Sequence, residues 1–260
     1  RRQRQMCIRD RDDGAPTALC QDITVSLDAN GVASIEAADV DNGSNDPSGI
    51  DTMIVAPNTF ICANIGVNNV TLTVTDNNGN SANCTADVTI IDNIPPNVVC
   101  QNVTVSLDAA GNASVTENDI DNGTTDNCGF TLSLDGQSSF DCNDAGQFFD
   151  VTLIATDGSG NVSACSATVA VQDDEGPVAI CQDVTVPLDA GGNASISPND
   201  IDNGSTDNCG VNLSLSGSTN YSCETIGVFT VTLTATDNSG NSATCDASVT
   251  VVDDTPPTAL

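Results

Sequence analysis

Residues 228–252 read VFTVTLTATDNSGNSATCDASVTVV, and apolar and polar side chains alternate through both halves. Val228–Thr236 puts Val231, Leu233 and Ala235 on one face and Thr232, Thr234 and Thr236 on the other, the period-two pattern of a half-buried strand. The D-N-S-G-N between the halves is turn chemistry, so Ala243–Val252 returns as an antiparallel partner. Working back along the same stretch, Val178–Leu188 reads as a first strand, Ala194–Ser197 as a second and Val211–Leu215 as a third. Asp200–Gly210 is a polar segment, and a further short strand ends near Cys223. Six or seven short strands with no helical period predict an immunoglobulin-like β-sandwich.

This unit occurs three times. Residues 20–31, 100–111 and 181–192 read CQDITVSLDANG, CQNVTVSLDAAG and CQDVTVPLDAGG, and the spacing of their cysteines is 80 and 81. Cys62, Cys142 and Cys223 repeat at the same interval, as do Cys84, Cys165 and Cys245. A period near 80 is too long for a solenoid turn and suits a small β-domain. The chain therefore reads as all-β: three tandem immunoglobulin-like β-sandwich domains in an elongated array, spanning 12–94, 95–175 and 176–260. Each joint carries Asp or Asn and then Pro, which stops a strand from continuing. Residues 1–11 stand apart. Met6–Arg11 matches the translation of a transposon adapter used in sequencing libraries, so 1–11 reads as a non-native leader, with a basic arm as the alternative. The pattern of the repeats at both ends suggests a piece of a longer array.

Composition narrows function. The chain holds 36 Asp and Glu against 5 Lys and Arg, with no His, for a formal charge of -31. All five basic residues lie within residues 1–11, so Asp12–Leu260 holds 35 acids and no Lys or Arg. Such a surface repels phosphate, which excludes nucleic acid, and no apolar run is long enough for direct membrane insertion. Without His or Lys no ordinary base activates the many Ser and Thr residues. Glycoside hydrolysis by paired carboxylates needs a deep cleft that small repeated sandwiches rarely provide. The expectation is a protein that is not an enzyme.

Twelve cysteines without His argue against zinc and for disulfides in an oxidising, extracellular or cell-surface setting. First and last strands lie parallel and adjacent in such sandwiches, which brings together Cys20 with Cys84, Cys100 with Cys165, and Cys181 with Cys245. Each closes a loop of about 65 residues, which contributes about 4 kcal/mol in the chain-entropy account. Elimination then pairs Cys128 with Cys142 and Cys209 with Cys223. The first repeat has Ser48 where the others have cysteine, which leaves Cys62 either free or bonded to another chain.

These residues resemble the hyalin-repeat (HYR) family in the form common in large bacterial secreted and surface proteins. The resemblance rests on P-x-x-x-C-Q-D-V-T-V at the start, T-D-N-C-G in the middle, and VTLTATDNSGNSATC followed by VTVVDDTPP at the end. It covers Asp12 to Leu260 and departs from the pattern at Asp46–Gly49. It implies an extracellular immunoglobulin-like module for adhesion or spacing, without catalytic residues.

The acids collect in loops. D-x-D-N-G segments supply Asp39, Asp41 and Asp46; Asp119, Asp121 and Asp126; and Asp200, Asp202 and Asp207. That spacing resembles the first half of a calcium loop, without its twelfth-position Glu. If first and last strands run parallel, each incoming joint meets the turn between the last two strands. Asp173, Asp174 and Glu175 then approach Asp237, and Asp92 approaches Asp157; Asp76 holds the corresponding place in the first repeat. Carboxylates converging in this way repel unless a hard cation offsets them, so calcium is the expected cofactor, with simple turn formation by Asp-Asn-Gly as the competing reading. The sequence thus predicts an extracellular stalk or adhesin shaft, clamped by disulfides and stiffened by calcium at its joints. Its predicted partners are neighbouring repeats of the same chain and an unidentified protein or glycan. The alternatives are a calcium-dependent glycan- or protein-binding module and an accessory array of a secreted enzyme.

Overall fold

The computed structural model describes residues 14–254 and 256; the segment read as a leader lies outside them. In the first repeat β1 (Ile23–Ser26), β2 (Val32–Ser34), the one-turn helix α1 (Ala37–Val40), β3 (Ile50–Ala56), β4 (Thr59–Ile61), β5 (Gly66–Asp76) and β6 (Ser81–Ile91) follow in order. The second repeat runs through β7 (Val103–Ser106), β8 (Asn112–Ser114), α2 (Glu117–Ile120), β9 (Phe130–Asp135), β10 (Ser139–Asp141), β11 (Phe148–Asp157) and β12 (Val162–Gln172). The third runs through β13 (Val184–Pro187), β14 (Asn193–Ser195), α3 (Pro198–Ile201), β15 (Asn212–Ser216), β16 (Asn220–Ser222), β17 (Gly227–Thr236) and β18 (Ser242–Val252).

Three four-stranded sheets result, ordered β1-β6-β5-β3, β7-β12-β11-β9 and β13-β18-β17-β15. The facing layers are the two-stranded ribbons β2-β4, β8-β10 and β14-β16. First and last strands pair in parallel, with Ile23 opposite Val88 and Val184 opposite Val249. In the first and third of these sheets, and in all three ribbons, the other pairings are antiparallel. This is the strand plan of an immunoglobulin-like sandwich.

The chain divides into two compact units, and the division passes through the second repeat. One comprises Arg1–Val99, Gly123–Ser133 and Leu153–Cys165; the other comprises Cys100–Asn122, Leu134–Thr152 and Ser166–Leu260. The first is built on Val70, Leu72 and Val74 of β5 against Val88 and Ile90 of β6, all fully buried, with Phe60 from the facing ribbon. In the second unit Val231, Leu233, Val249 and Val251 play these parts, with Tyr221 opposite. The alternation seen in sequence is thus the inward face of the long sheet. Tyr221 is the bulkiest group there, and its hydroxyl is satisfied by donating to the Ser218 carbonyl.

Three local features differ from the sequence reading. The first strand of the third repeat is shorter than Val178–Leu188. Before β13 the chain touches the polar segment through isolated bridges at Val178–Thr206 and Cys181–Asp202, and the Asp183 side chain, in place of a backbone carbonyl, accepts the Ser248 N–H of β18 at 2.7 Å. That polar segment begins with a helical turn, which plants Ile201 in the core with no exposed surface. Four residues are too few to show a helical period.

The third difference is covalent. Cys20 is bonded to Cys84 and Cys181 to Cys245, each across 64 residues, and Cys100 and Cys165 are also disulfide-bonded. Cys128 is not bonded to Cys142, nor Cys209 to Cys223. Instead Cys62 bonds Cys128 and Cys142 bonds Cys209, each joining one repeat to the next, while Cys223 is a free, exposed thiol. The reason lies in the path of the chain. β15 pairs with the far half of β17, Asn212 opposite Thr236 and Ser216 opposite Thr232. Cys209 therefore lies at the end where β17 finishes, and Cys223, just ahead of Gly227, at the end where it starts. The chain between them runs the length of the sandwich instead of folding back as a hairpin.

Candidate functional site

The inter-repeat disulfides identify which loops meet. On the leading side are the turn after the first strand (Asp28–Gly31, Asp108–Gly111), the cysteine after the fourth strand (Cys62, Cys142) and the exit of the last strand (Asp92, Asp173). On the following side are the D-N-C-G loop (Asp126–Gly129, Asp207–Gly210) and the turn between the last two strands (Asp157–Asn161, Asp237–Asn241). Parallel pairing of first and last strands puts the exit strand of one repeat beside this turn of the next.

In the first unit, carboxylate oxygens of Asp92, Asp126 and Asp157 lie within 4.8 Å of one another; in the second, those of Asp173, Asp207 and Asp237 do the same. Asp92, Asp157, Asp173 and Asp237 are all buried. With no Lys, Arg or His among the described residues, neighbouring amides hold these acids in place. Asn127 Nδ2 donates to Asp92 Oδ1 and to the Asp28 carbonyl, both at 3.2 Å. Asn208 donates equivalently to Asp173 Oδ1 at 3.2 Å and to the Asp108 carbonyl at 3.0 Å. Asn161 bridges Asp157 Oδ2 at 2.7 Å and the Asp92 carbonyl at 3.0 Å. Asn241 does likewise with Asp237 and Asp173. Burial opposes ionisation of Asp157, but the Asn161 amide and the N–H groups of Asn161, Ser159 and Gly160 outweigh it and hold the carboxyl below its ordinary value.

Not every oxygen is satisfied. Asp92 Oδ2, Asp126 Oδ1 and Asn127 Oδ1 are buried without a hydrogen-bond partner, and so are Asp207 Oδ1 and Asn208 Oδ1. Orphaned buried acceptors are costly, commonly about 1–3 kcal/mol each and more when charged. Carboxylates this close repel by about 3 kcal/mol per pair at an effective dielectric near 20. Clustered, unpartnered oxygen acceptors on rigid loops are the donor set that suits a hard divalent cation such as calcium.

The other acids singled out in sequence serve the fold. Asp39, Asp119 and Asp200 turn back within their helical turns and accept the N–H of Glu36, Thr116 and Ser197, each at 2.7 Å. The side-chain hydroxyl of Thr116, then its backbone N–H, lowers the Asp119 carboxyl, and Ser197 acts likewise on Asp200. Asp41 and Asp202 close the next turn by accepting from Ser44 and Ser205, and Asp121 is the C-cap of α2. Asp174 accepts from the Ser106 hydroxyl at 2.7 Å. Asp46 binds Ser48, and Asp76 binds the N–H groups of Asn78 and Asn80. Asp46 and Asp76 are the first repeat's counterparts of Asp126 and Asp157; Asp12, the counterpart of Asp92, lies outside the described residues. Asn127, Asn208, Asn161 and Asn241 were not anticipated as site residues, although T-D-N-C-G and D-N-S-G-N carry them.

No known protein-family profile matches the chain. It is 28% identical over 201 residues to an uncharacterized 81.3 kDa protein of Acholeplasma phage L2, a match that takes in 72% of this chain and 26% of that protein. Among solved structures, a three-immunoglobulin-domain titin fragment aligns over 92% of this chain and all of its own at 14% identity and TM-score 0.40. Sidekick-1 immunoglobulin domains 1–5 align over 94% of this chain and 60% of theirs, at 12% identity and TM-score 0.41. A four-domain fragment of Drosophila N-cadherin aligns over 94% of this chain and 76% of its own, at 13% identity and TM-score 0.33. No helix among the described residues is long and apolar enough to cross a membrane.

Proposed function

We propose that this chain is a non-enzymatic segment of an extracellular stalk or adhesin shaft, in which successive hyalin-repeat-like domains are locked by a disulfide and a bound calcium ion. The observation that carries the reading is the linking of consecutive repeats by Cys62–Cys128 and Cys142–Cys209. A disulfide within a domain stabilises that domain; one between repeats restricts bending, which is useful where geometry must survive tension. Persistent disulfides also support an oxidising compartment outside the cytosol. Beside each of these bonds, Asp92, Asp126, Asp157 and Asn127, or Asp173, Asp207, Asp237 and Asn208, would hold the ion. The ion supplies the positive charge that the described residues lack.

Binding that favours the folded joint stabilises it by about 2.7 kcal/mol per site at a hundredfold excess over Kd. Metal-stripped protein titrated with calcium should therefore unfold at progressively higher temperature, and a chelator should reverse the gain. A midpoint unmoved at millimolar calcium contradicts the cation half of the proposal.

A further inference from the structure

We propose that the pole of the third repeat bearing Cys223 is a covalent docking site for the D-N-C-G loop of a further repeat following it on the same chain. Three copies of the receiving surface can be compared. In each, a tight turn closes by a Gly N–H to an Asp carbonyl: Gly31 to Asp28 at 2.9 Å, Gly111 to Asp108 at 2.8 Å and Gly192 to Asp189 at 2.9 Å. All three glycines have positive φ, between 73° and 76°, and a Cβ on any of them would collide with the sulfur of Cys62, Cys142 or Cys223. The sulfur rests over the same glycine carbonyl at 3.8, 3.8 and 3.6 Å.

In the first two copies the sulfur is bonded to the cysteine of a D-N-C-G loop. The Asn of that loop donates to the turn's Asp28 or Asp108 carbonyl, and its own carbonyl lies 3.3 or 3.5 Å from the sulfur. The third copy has the receiving parts in the same arrangement, with its sulfur free and exposed. The occupant is defined by chemistry. Both D-N-C-G loops of this chain are already bonded, and the first repeat's Asp46–Gly49 loop, D-P-S-G, offers Ser48 and no thiol. A second copy of the chain therefore supplies no matching cysteine from any of its three loops.

The bond forms by two thiol–disulfide exchanges with a small-molecule disulfide such as oxidised glutathione. One cysteine thiolate attacks the oxidant, giving a mixed disulfide and one glutathione thiolate. The other cysteine then attacks the protein sulfur of that mixed disulfide and expels the second. Two protein thiols lose two protons and two electrons, and the oxidant becomes two glutathione thiols.

The test appends a copy of residues 181–254 directly after Leu260 of the full chain, which keeps the eight-residue spacing from Asp253 to the next cysteine, with Cys7→Ser, refolds it in a glutathione redox buffer and maps disulfides by mass spectrometry. The expected product links Cys223 to the appended counterpart of Cys209, and the reactivity of Cys223 toward a thiol reagent falls to background. An appended copy carrying D-P-S-G in that loop should leave Cys223 fully reactive. The proposal is overturned if the appended cysteine bonds within its own repeat, if Cys223 stays reactive in both proteins, or if Cys223–Cys223 dimers dominate.

Discussion

Asn127 and Asn208 each serve two neighbours through one amide. The Nδ2 group fastens the turn of the preceding repeat and orients its exit carboxylate, while Oδ1 is left buried and unpartnered. Replacing Asn127 by Ala should weaken calcium binding at that joint about tenfold or more, read by calcium titration, and leave the other joint unchanged; equal affinity at both would remove Asn127 from the site. Asp119 tests a different property, because its carboxyl is lowered by the Thr116 hydroxyl and then by the Thr116 N–H. A lowered folded-state value means that the stability it confers is complete above the ordinary value of 3.8 and is lost as pH falls through the folded value. Thr116→Val should move the Asp119 titration, followed by carboxyl NMR, upward toward 3.8, and a stationary titration would show that the hydroxyl contributes nothing. The sequence shows plainly that Asp is abundant in turns. It does not show which Asp residues spend their oxygens on their own loop and which retain one, since that depends on whether a neighbouring repeat covers them.

At the level of elements, the parallel pairing of first and last strands explains most of what the cysteine spacing revealed. It brought Cys20 to Cys84 and Cys181 to Cys245, and it put Asp92 beside Asp157 and Asp173 beside Asp237. The path from β15 to β16 was not legible, because nothing in a three-residue connection distinguishes a hairpin from a step between layers. That one ambiguity reversed the end of the domain at which Cys223 lies, and with it two disulfide assignments. The helical turns are equally silent in sequence yet structurally important: Val40, Ile120 and Ile201 have no exposed surface. Ile201→Ala should cost about 2–5 kcal/mol, measurable as a lower unfolding midpoint in denaturant. A loss below about 1 kcal/mol would show that the loop, and not α3, closes this end of the core.

Over the whole molecule, the outstanding property is acidity without a compensating side-chain cation. Among the described residues no carboxylate can form a salt bridge with Lys, Arg or His, so backbone N–H groups, Ser and Thr hydroxyls and side-chain amides take that role. Where they run out, at the two inter-repeat clusters, buried oxygens remain. Calcium is therefore expected at these joints, to which the D-x-D-N-G segments contribute only Asp126 and Asp207. The most direct test is calorimetric titration of metal-stripped chain beside Asp92→Asn, Asp173→Asn and the double variant. Asn at these positions can keep the Oδ1 acceptor, while removing the charge and the orphaned oxygen at Asp92. The account predicts that each single substitution abolishes one calcium equivalent and the double substitution abolishes two. Undiminished stoichiometry in the double variant, or no calcium binding by the unsubstituted chain, would contradict it.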